Sequence, residues 1–170
     1  MATALVTGAT AGIGESFTRL LAQQGYDLVL VARDVKRLAE RAKFLRGKYK
    51  IKVEIIVADL SKNIELAKVV RRLTNPKNPV EVLINNAGFG LKKSFLTSKT
   101  KDERALLDVL VTAPMTLSHA VLPFMKARNS GRIINVSSVA SWIAGGTYSA
   151  AKSYVTVFSE SLHTELRGTN

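Results

Sequence analysis

Residues 137–152 read SSVASWIAGGTYSAAK, with Tyr148 four positions ahead of Lys152 and a serine pair upstream. On a helix, a spacing of four puts the phenol and the ammonium on one face. A free phenol titrates near 10, so trading its proton near neutral pH requires about three units, or about 4 kcal/mol. A lysine charge ~5 Å away, at an effective dielectric of ~20, supplies about 3 kcal/mol of that. Proton transfer to or from an oxygen is therefore chemistry this pair can do. By itself Tyr-x-x-x-Lys usually marks a surface pair, and it takes other motifs to raise it to a site.

One such motif stands at the other end of the chain. TGATAGIG, residues 7–14, follows an apolar run and opens an amphipathic one. Glycines at 8, 12 and 14 allow a tight turn and let phosphates approach main-chain N–H groups at a helix N-terminus, where the dipole favours anions. Elsewhere such a turn serves packing alone. Its strand–turn–helix setting favours nucleotide binding. NNAG at 85–88 closes the fourth apolar run and, taken alone, is a common turn.

The elements that must hold these residues are readable from the apolar runs at 3–7, 27–32, 53–58, 80–85 and 132–137. They lack strict polar alternation, as strands covered on both faces do. Helical spacing lies between them, in Ile13, Phe17, Leu20 and Leu21, and again in Leu66, Val69, Val70 and Leu73. The β-α-β-α order predicts a three-layer, doubly wound α/β fold with a parallel sheet of about five strands, as a single domain over 1–170. A helix is expected to start at Thr100, with Thr100 and Glu103 as a capping box. Its apolar face runs Leu107, Leu110, Val111, Pro114, Leu117 and Val121, and Pro114 is expected to bend it.

Composition narrows the partners. The net charge is +12, and nine Lys or Arg stand between Arg33 and Lys52 against Asp34 and Glu40. This segment could attract nucleic acid. The stripe Val35, Leu38, Ala39, Ala42 and Leu45 favours a solvated helix face instead, with the basic residues outward. Only Phe44 and Tyr49 are available in it for base stacking, so nucleic acid is the minor alternative. No apolar run approaches the ~20 residues of a membrane span, and no membrane partner is expected. MATALVTG does not have the form of a secretory signal. Zero cysteines exclude disulfides and thiolate metal sites and agree with a cytoplasmic setting; no metal is expected.

Together, Thr-Gly-x-x-x-Gly-x-Gly at 7–14, NNAG at 85–88 and Tyr148-x-x-x-Lys152, in this order over the whole chain, resemble the short-chain dehydrogenase/reductase family. The resemblance implies a Rossmann-type domain that binds NAD or NADP and moves hydride between nicotinamide and a carbonyl or alcohol substrate. It implies that Thr7, Gly8, Thr10, Gly12, Ile13 and Gly14 border the cofactor, followed by Arg33, Asp59, Asn85, Ala87 and Gly88, with Tyr148 and Lys152 at the reacting end. Tyr148 would protonate the carbonyl oxygen, Lys152 would hold the ribose and favour the proton transfer, and Ser138 would orient the carbonyl. VARD at 31–34 places Arg33 where an acidic residue would select NAD, so NADP is expected, with NAD possible. Asp34 reads equally as a helix cap, and Asp59 and Ser61 equally as caps of the next helix. Helices at 101–126 and 147–167 are where such proteins pair, which implies a homo-oligomer.

Three features depart from the family pattern. Leu110 stands where an asparagine is usual, the segment from Ser138 to Tyr148 is short, and the sequence ends 18 residues after Lys152. The last is expected to remove two strands, a Pro-Gly turn and a substrate lid, and to leave the fifth strand as an apolar edge. The alternative they support is a domain that binds cofactor but is catalytically silent.

Overall fold

The computed structural model describes residues 2–169. Five strands, β1 (Thr3–Thr7), β2 (Asp27–Ala32), β3 (Val53–Val57), β4 (Val82–Asn85) and β5 (Arg132–Asn135), form one parallel sheet in the order β3-β2-β1-β4-β5. Leu5 and Val6 of β1, Leu28 to Val31 of β2 and Leu83 and Ile84 of β4 are buried on both faces, which explains their continuous apolar runs. Helices α1 (Gly12–Gln23) and α2 (Val35–Tyr49) help cover one face; α3 (Asn63–Leu73) and α5 (Ala113–Arg128) pack against each other over the opposite side of the core. The expected architecture is the one observed. Strand order reverses between β1 and β4, the place where open α/β sheets leave a crevice at the strands' carboxyl ends. β5 is an edge strand with Ile134 exposed, as expected.

Three of the four apolar stripes shift in detail, the one from Thr100 at Leu107, which is exposed. Ile13 and Leu20 of α1 and Val35 and Ala39 of α2 are exposed. α1 buries Gly14, Thr18, Leu21 and Ala22 instead, because small side chains let it approach the sheet closely. The basic face of α2 is solvated except at Arg46, which donates to the Val53 carbonyl, and at Arg41, which turns inward. Its guanidinium bonds the Glu15 carboxylate at 2.9 Å, the Glu15 carbonyl at 2.8 Å and Thr18 Oγ1 at 3.1 Å, tying α2 to the first turns of α1. Burial lowers the Arg41 pKa, against the opposing pull of Glu15.

The helix from Thr100 is built in three pieces: α4 (Thr100–Leu107), a wide π-turn (Asp108–Thr112), and α5. Pro114 sits at the start of α5, directly after the π-turn; having no N–H, it cannot bond back to Leu110, and the wide turn is where the helix absorbs that loss. The capping box does not form. Lys99 is the N-cap with no side-chain bond, and Glu103 takes the Ser98 hydroxyl. The run Thr100–Arg128 has 29 residues and a window of mean hydropathy 1.6, so by length and composition it could cross a membrane, contrary to the expectation that nothing here could. Its apolar residues Leu110, Ala113, Leu117, Val121 and Met125 are buried within the protein. The last helix, α6 (Gly146–Glu165), carries Tyr148 and Lys152.

Candidate functional site

The turn after β1 is fixed by close main-chain approach. Gly8 has φ +67°, and a Cβ on Gly14 would lie 2.2 Å from the Gly8 carbonyl oxygen, so position 14 admits glycine alone. Asn86 clamps the turn by donating from Nδ2 to the Thr7 carbonyl at 3.0 Å and the Gly8 carbonyl at 3.3 Å. The backbone N–H groups of Asn86 and Ala87 both donate to Thr7 Oγ1 at 3.0 Å. The ends of β1 and β4 are thereby held as one rigid piece.

Over this piece opens a cleft of about 540 Å³, lined by Gly8, Thr10 and Ile13 on the turn, by Arg33, Arg37 and Asp59 beyond it, and by Asn86, Ala87 and Gly88. Of the sequence-predicted cofactor residues, Thr7, Gly12, Gly14, Asn85, Tyr148 and Lys152 stand outside its lining. Thr7 is 1% exposed and its hydroxyl is committed to β4. Gly14 is packed beneath the turn, while Gly12 has φ +55° with open space above it. Asn85 points the other way, donating to Ser118 Oγ at 3.2 Å and to Asn135 Oδ1 at 2.8 Å. Strand alternation sends neighbours to opposite faces, so Asn86 takes the place expected of Asn85.

At the end of β2, Asp34 is the N-cap of α2, accepting from the Arg37 N–H at 3.0 Å. Its other carboxylate oxygen lies 3.8 Å from the Arg37 guanidinium, and Arg33, Asp34 and Arg37 line that wall together. Asp59 does not cap α3, whose N-cap is Lys62. Burial pushes the Asp59 carboxyl up, but the Ser61 N–H at 3.0 Å, the Ser61 hydroxyl at 2.8 Å and the charges of Arg33 and Lys62 outweigh it and hold the pKa below the usual value. Open main chain, two guanidinium groups and a cavity of this size fit the phosphate-bearing half of a dinucleotide.

Gly88 joins this cleft to the reacting end. A Cβ on Gly88 would lie 4.0 Å from Lys152 Nζ and 2.8 Å from Leu110 Cδ2. Lys152 is 6% exposed and donates to the Val136 carbonyl at 2.7 Å; burial lowers its pKa. Its ammonium lies 5.9 Å from the centroid of the Tyr148 ring, so the two residues do share one face of α6. Leu110, in the π-turn and 2% exposed, packs with Leu106, Ala151 and Tyr148 and makes the surroundings of the ammonium apolar. Ser138 ends β5's extension and accepts from the Ala140 N–H at 3.2 Å, capping a short 3-10 turn over Val139–Trp142.

The other serine of the pair holds the scaffold. Ser137 Oγ donates to the Lys152 carbonyl at 3.0 Å and sits 2.7 Å from Thr156 Oγ1. Ser153 Oγ donates to the Ser141 carbonyl at 2.6 Å, so the short segment after Ser138 is bound to α6 directly after the lysine. Sequence reasoning did not single out Asn86, Arg37 or Ser137. The doubled Asn in NNAG and the doubled Ser in NVSS were the available signals, and strand alternation was needed to tell which of each pair faces where.

A family model described as short chain dehydrogenase matches residues 2–170, and the chain belongs to that family. An uncharacterized oxidoreductase of Staphylococcus saprophyticus is 33% identical over 98% of this chain and 72% of its own length. The NADP-dependent 3-hydroxy acid dehydrogenase YdfG of Escherichia coli is 34% identical over 97% of this chain and 66% of its own. Among solved structures, a short-chain dehydrogenase from Sphingobium yanoikuyae in complex with NADPH superimposes with a TM-score of 0.94 at 36% identity, covering 98% of this chain and 66% of that one. The chain thus spans about two thirds of the length of these proteins.

Proposed function

We propose that this chain is an NADP-dependent oxidoreductase that interconverts a carbonyl compound and its alcohol. The observation that carries the reading is the buried Lys152 ammonium, 5.9 Å from the Tyr148 ring and next to the glycine that borders the dinucleotide-type cleft. Bound there, NADP supplies or accepts the hydride. Arg33 and Arg37 line the wall where a 2'-phosphate would pair with them, and Asp34 beside them is drawn to the helix cap and to Arg37. The NADPH complex of the Sphingobium protein and the name of the Escherichia relative support the same preference. The glycine turn offers main-chain N–H groups to the phosphates. Tyr148 Oη gives its proton to the carbonyl oxygen in reduction and takes it back in oxidation. The Lys152 charge favours the phenolate side of that exchange, and the Ser138 hydroxyl steadies the same oxygen.

A second reading, a cofactor-binding domain without turnover, is favoured by one observation. Leu110 surrounds the ammonium with apolar atoms and offers it no acceptor. Pairing of chains through 101–126 and 147–167 is supported by exposed Leu107, Met115 and Val157 on those helices, and a cytoplasmic setting by the absence of cysteine. The test measures NADPH binding by fluorescence and then NADPH oxidation over a panel of ketones. The expected result is binding with turnover, and a Tyr148→Phe variant that loses about a thousandfold in rate while its NADPH affinity stays within about twofold. Binding with no oxidation of any ketone selects the silent domain.

A further inference from the structure

A second cavity, of about 400 Å³, opens on the far side of Tyr148 between α4, the 91–96 loop and the start of α6. Its walls include Leu91, Phe95 and Leu106, the Tyr148 ring, Lys93 at the loop and Glu103 on α4. Glu103 breaks the pattern of its helix. It sits three residues before Leu106 on the buried face, a position that packing fills with an apolar side chain. It is only 9% exposed. One carboxylate oxygen, Oε1, takes the Ser98 hydroxyl; the other, Oε2, is fully buried and has no protein hydrogen-bond partner. A carboxylate accepts and does not donate, so Oε2 is an unmatched acceptor on a side chain that lines the same cavity as the proposed proton donor. Leaving such an atom unmatched costs on the order of 1–3 kcal/mol, a sacrifice that folded proteins make mainly at functional positions.

We propose that Glu103 is a substrate-binding residue, and that the preferred substrate is a ketone bearing a hydrogen-bond donor, a hydroxyl or an ammonium group, which docks on Glu103 Oε2 while its carbonyl lies at Tyr148. The inference rests on the oxidoreductase reading for the placement of the carbonyl. Leu91, Phe95 and Leu106 give the rest of the molecule an apolar wall, so selectivity comes from the single polar contact. A site built to bond a donor rejects the analogue lacking it far more strongly than an apolar pocket rejects a missing methylene.

The experiment compares cyclohexanone, 4-hydroxycyclohexanone and 4-aminocyclohexanone as ligands of the NADPH-saturated full chain, by saturation-transfer NMR, with NADPH oxidation followed in parallel. Expected are dissociation constants at least about tenfold lower for the two donor-bearing ketones. Glu103→Leu should erase that gap, leave NADPH affinity unchanged and raise the melting temperature, because an apolar side chain replaces an unmatched buried acceptor. Glu103→Gln, which keeps shape and the Ser98 contact, should retain the hydroxyl preference and lose the preference for the ammonium. Equal binding of the three ketones by the wild type, or a donor preference that survives Glu103→Leu, overturns the proposal. So does a donor preference that Glu103→Gln leaves intact for the ammonium, should the leucine variant fail to fold. Donor-selective binding without NADPH oxidation leaves Glu103 as a binding residue and removes the oxidoreductase reading alone; unselective turnover does the reverse.

Discussion

The glycine turn after β1 and the Tyr148–Lys152 face of α6 meet at Gly88, yet they are held in place by different materials. The turn is backbone fitted to backbone. Gly14 lies under the Gly8 carbonyl, and Asn86 and Thr7 stitch β4 to β1 through five hydrogen bonds. The reacting end is side chains on a helix, steadied by serines, with an ammonium buried among apolar groups. A binding surface for phosphate needs main-chain N–H groups in fixed positions, and the strand ends supply that rigidity. A proton-transfer site needs charge in a dry place, and a helix supplies it at some cost in solvation. The phosphate end is therefore inseparable from folding stability, whereas the reacting end is separable from it.

The sharpest way to break that contrast is Gly14→Ala. Its Cβ would lie 2.2 Å from one main-chain oxygen and 2.4 Å from Asn86 Nδ2, so β1 and β4 must part. A loss of about 3 kcal/mol in urea-denaturation stability is expected, together with NADPH binding. Tyr148→Phe, by contrast, should change stability by less than about 0.5 kcal/mol while cutting turnover about a thousandfold. If both variants unfold at the same urea concentration as the wild type, the two ends do not differ in the way described.

A smaller effect separates charge from scaffold at the phosphate end. Arg33 is exposed, lines the cleft and, among the described residues, makes no hydrogen bond or ion pair. Arg33→Ala should weaken NADPH binding about tenfold, as loss of one charge-assisted bond does, and leave NADH binding and the unfolding midpoint unchanged. Parallel losses for NADPH and NADH in fluorescence titration would move Arg33 from phosphate selection to general attraction.

The sequence made the sheet and its motifs legible because both depend on short-range patterns. Apolar runs of five or six residues between helical stretches dictate parallel strands, and the glycine spacing dictates a turn. What escaped it depends on contacts across the chain. The phase of α1 was misread because close packing selects Gly14 and Thr18 over Ile13 and Leu20, and a hydrophobic stripe does not register small residues. Arg41 looked solvated among eight other basic residues, and only the position of Glu15 turns it inward. Glu103 read as half of a capping box, since a carboxylate three residues into a helix usually serves the cap; Ser98 in the preceding loop captures it instead. Asn85 and Asn86, and Ser137 and Ser138, divide scaffold from site by one residue, a distinction set by strand pleat and chain direction.

The smallest effect tests whether the reacting end is as dry as it looks. Burial lowers the Lys152 pKa below its free value of 10.5. Between the folded-state pKa and 10.5, the unfolded chain holds a proton that the folded chain has released. Stability therefore rises with pH across that window and is flat with respect to this group below it. Lys152→Met removes the titrating group and leaves the Val136 carbonyl without its donor. In urea melts between pH 7 and pH 10, the wild type should gain on the variant as pH increases, with the gain confined to the alkaline part of the range. Curves that stay parallel throughout would place the ammonium in solvent. Tyr148 would then face a screened charge, and the reacting end would lose the low-dielectric setting that distinguishes it from the exposed guanidinium groups at Arg33 and Arg37.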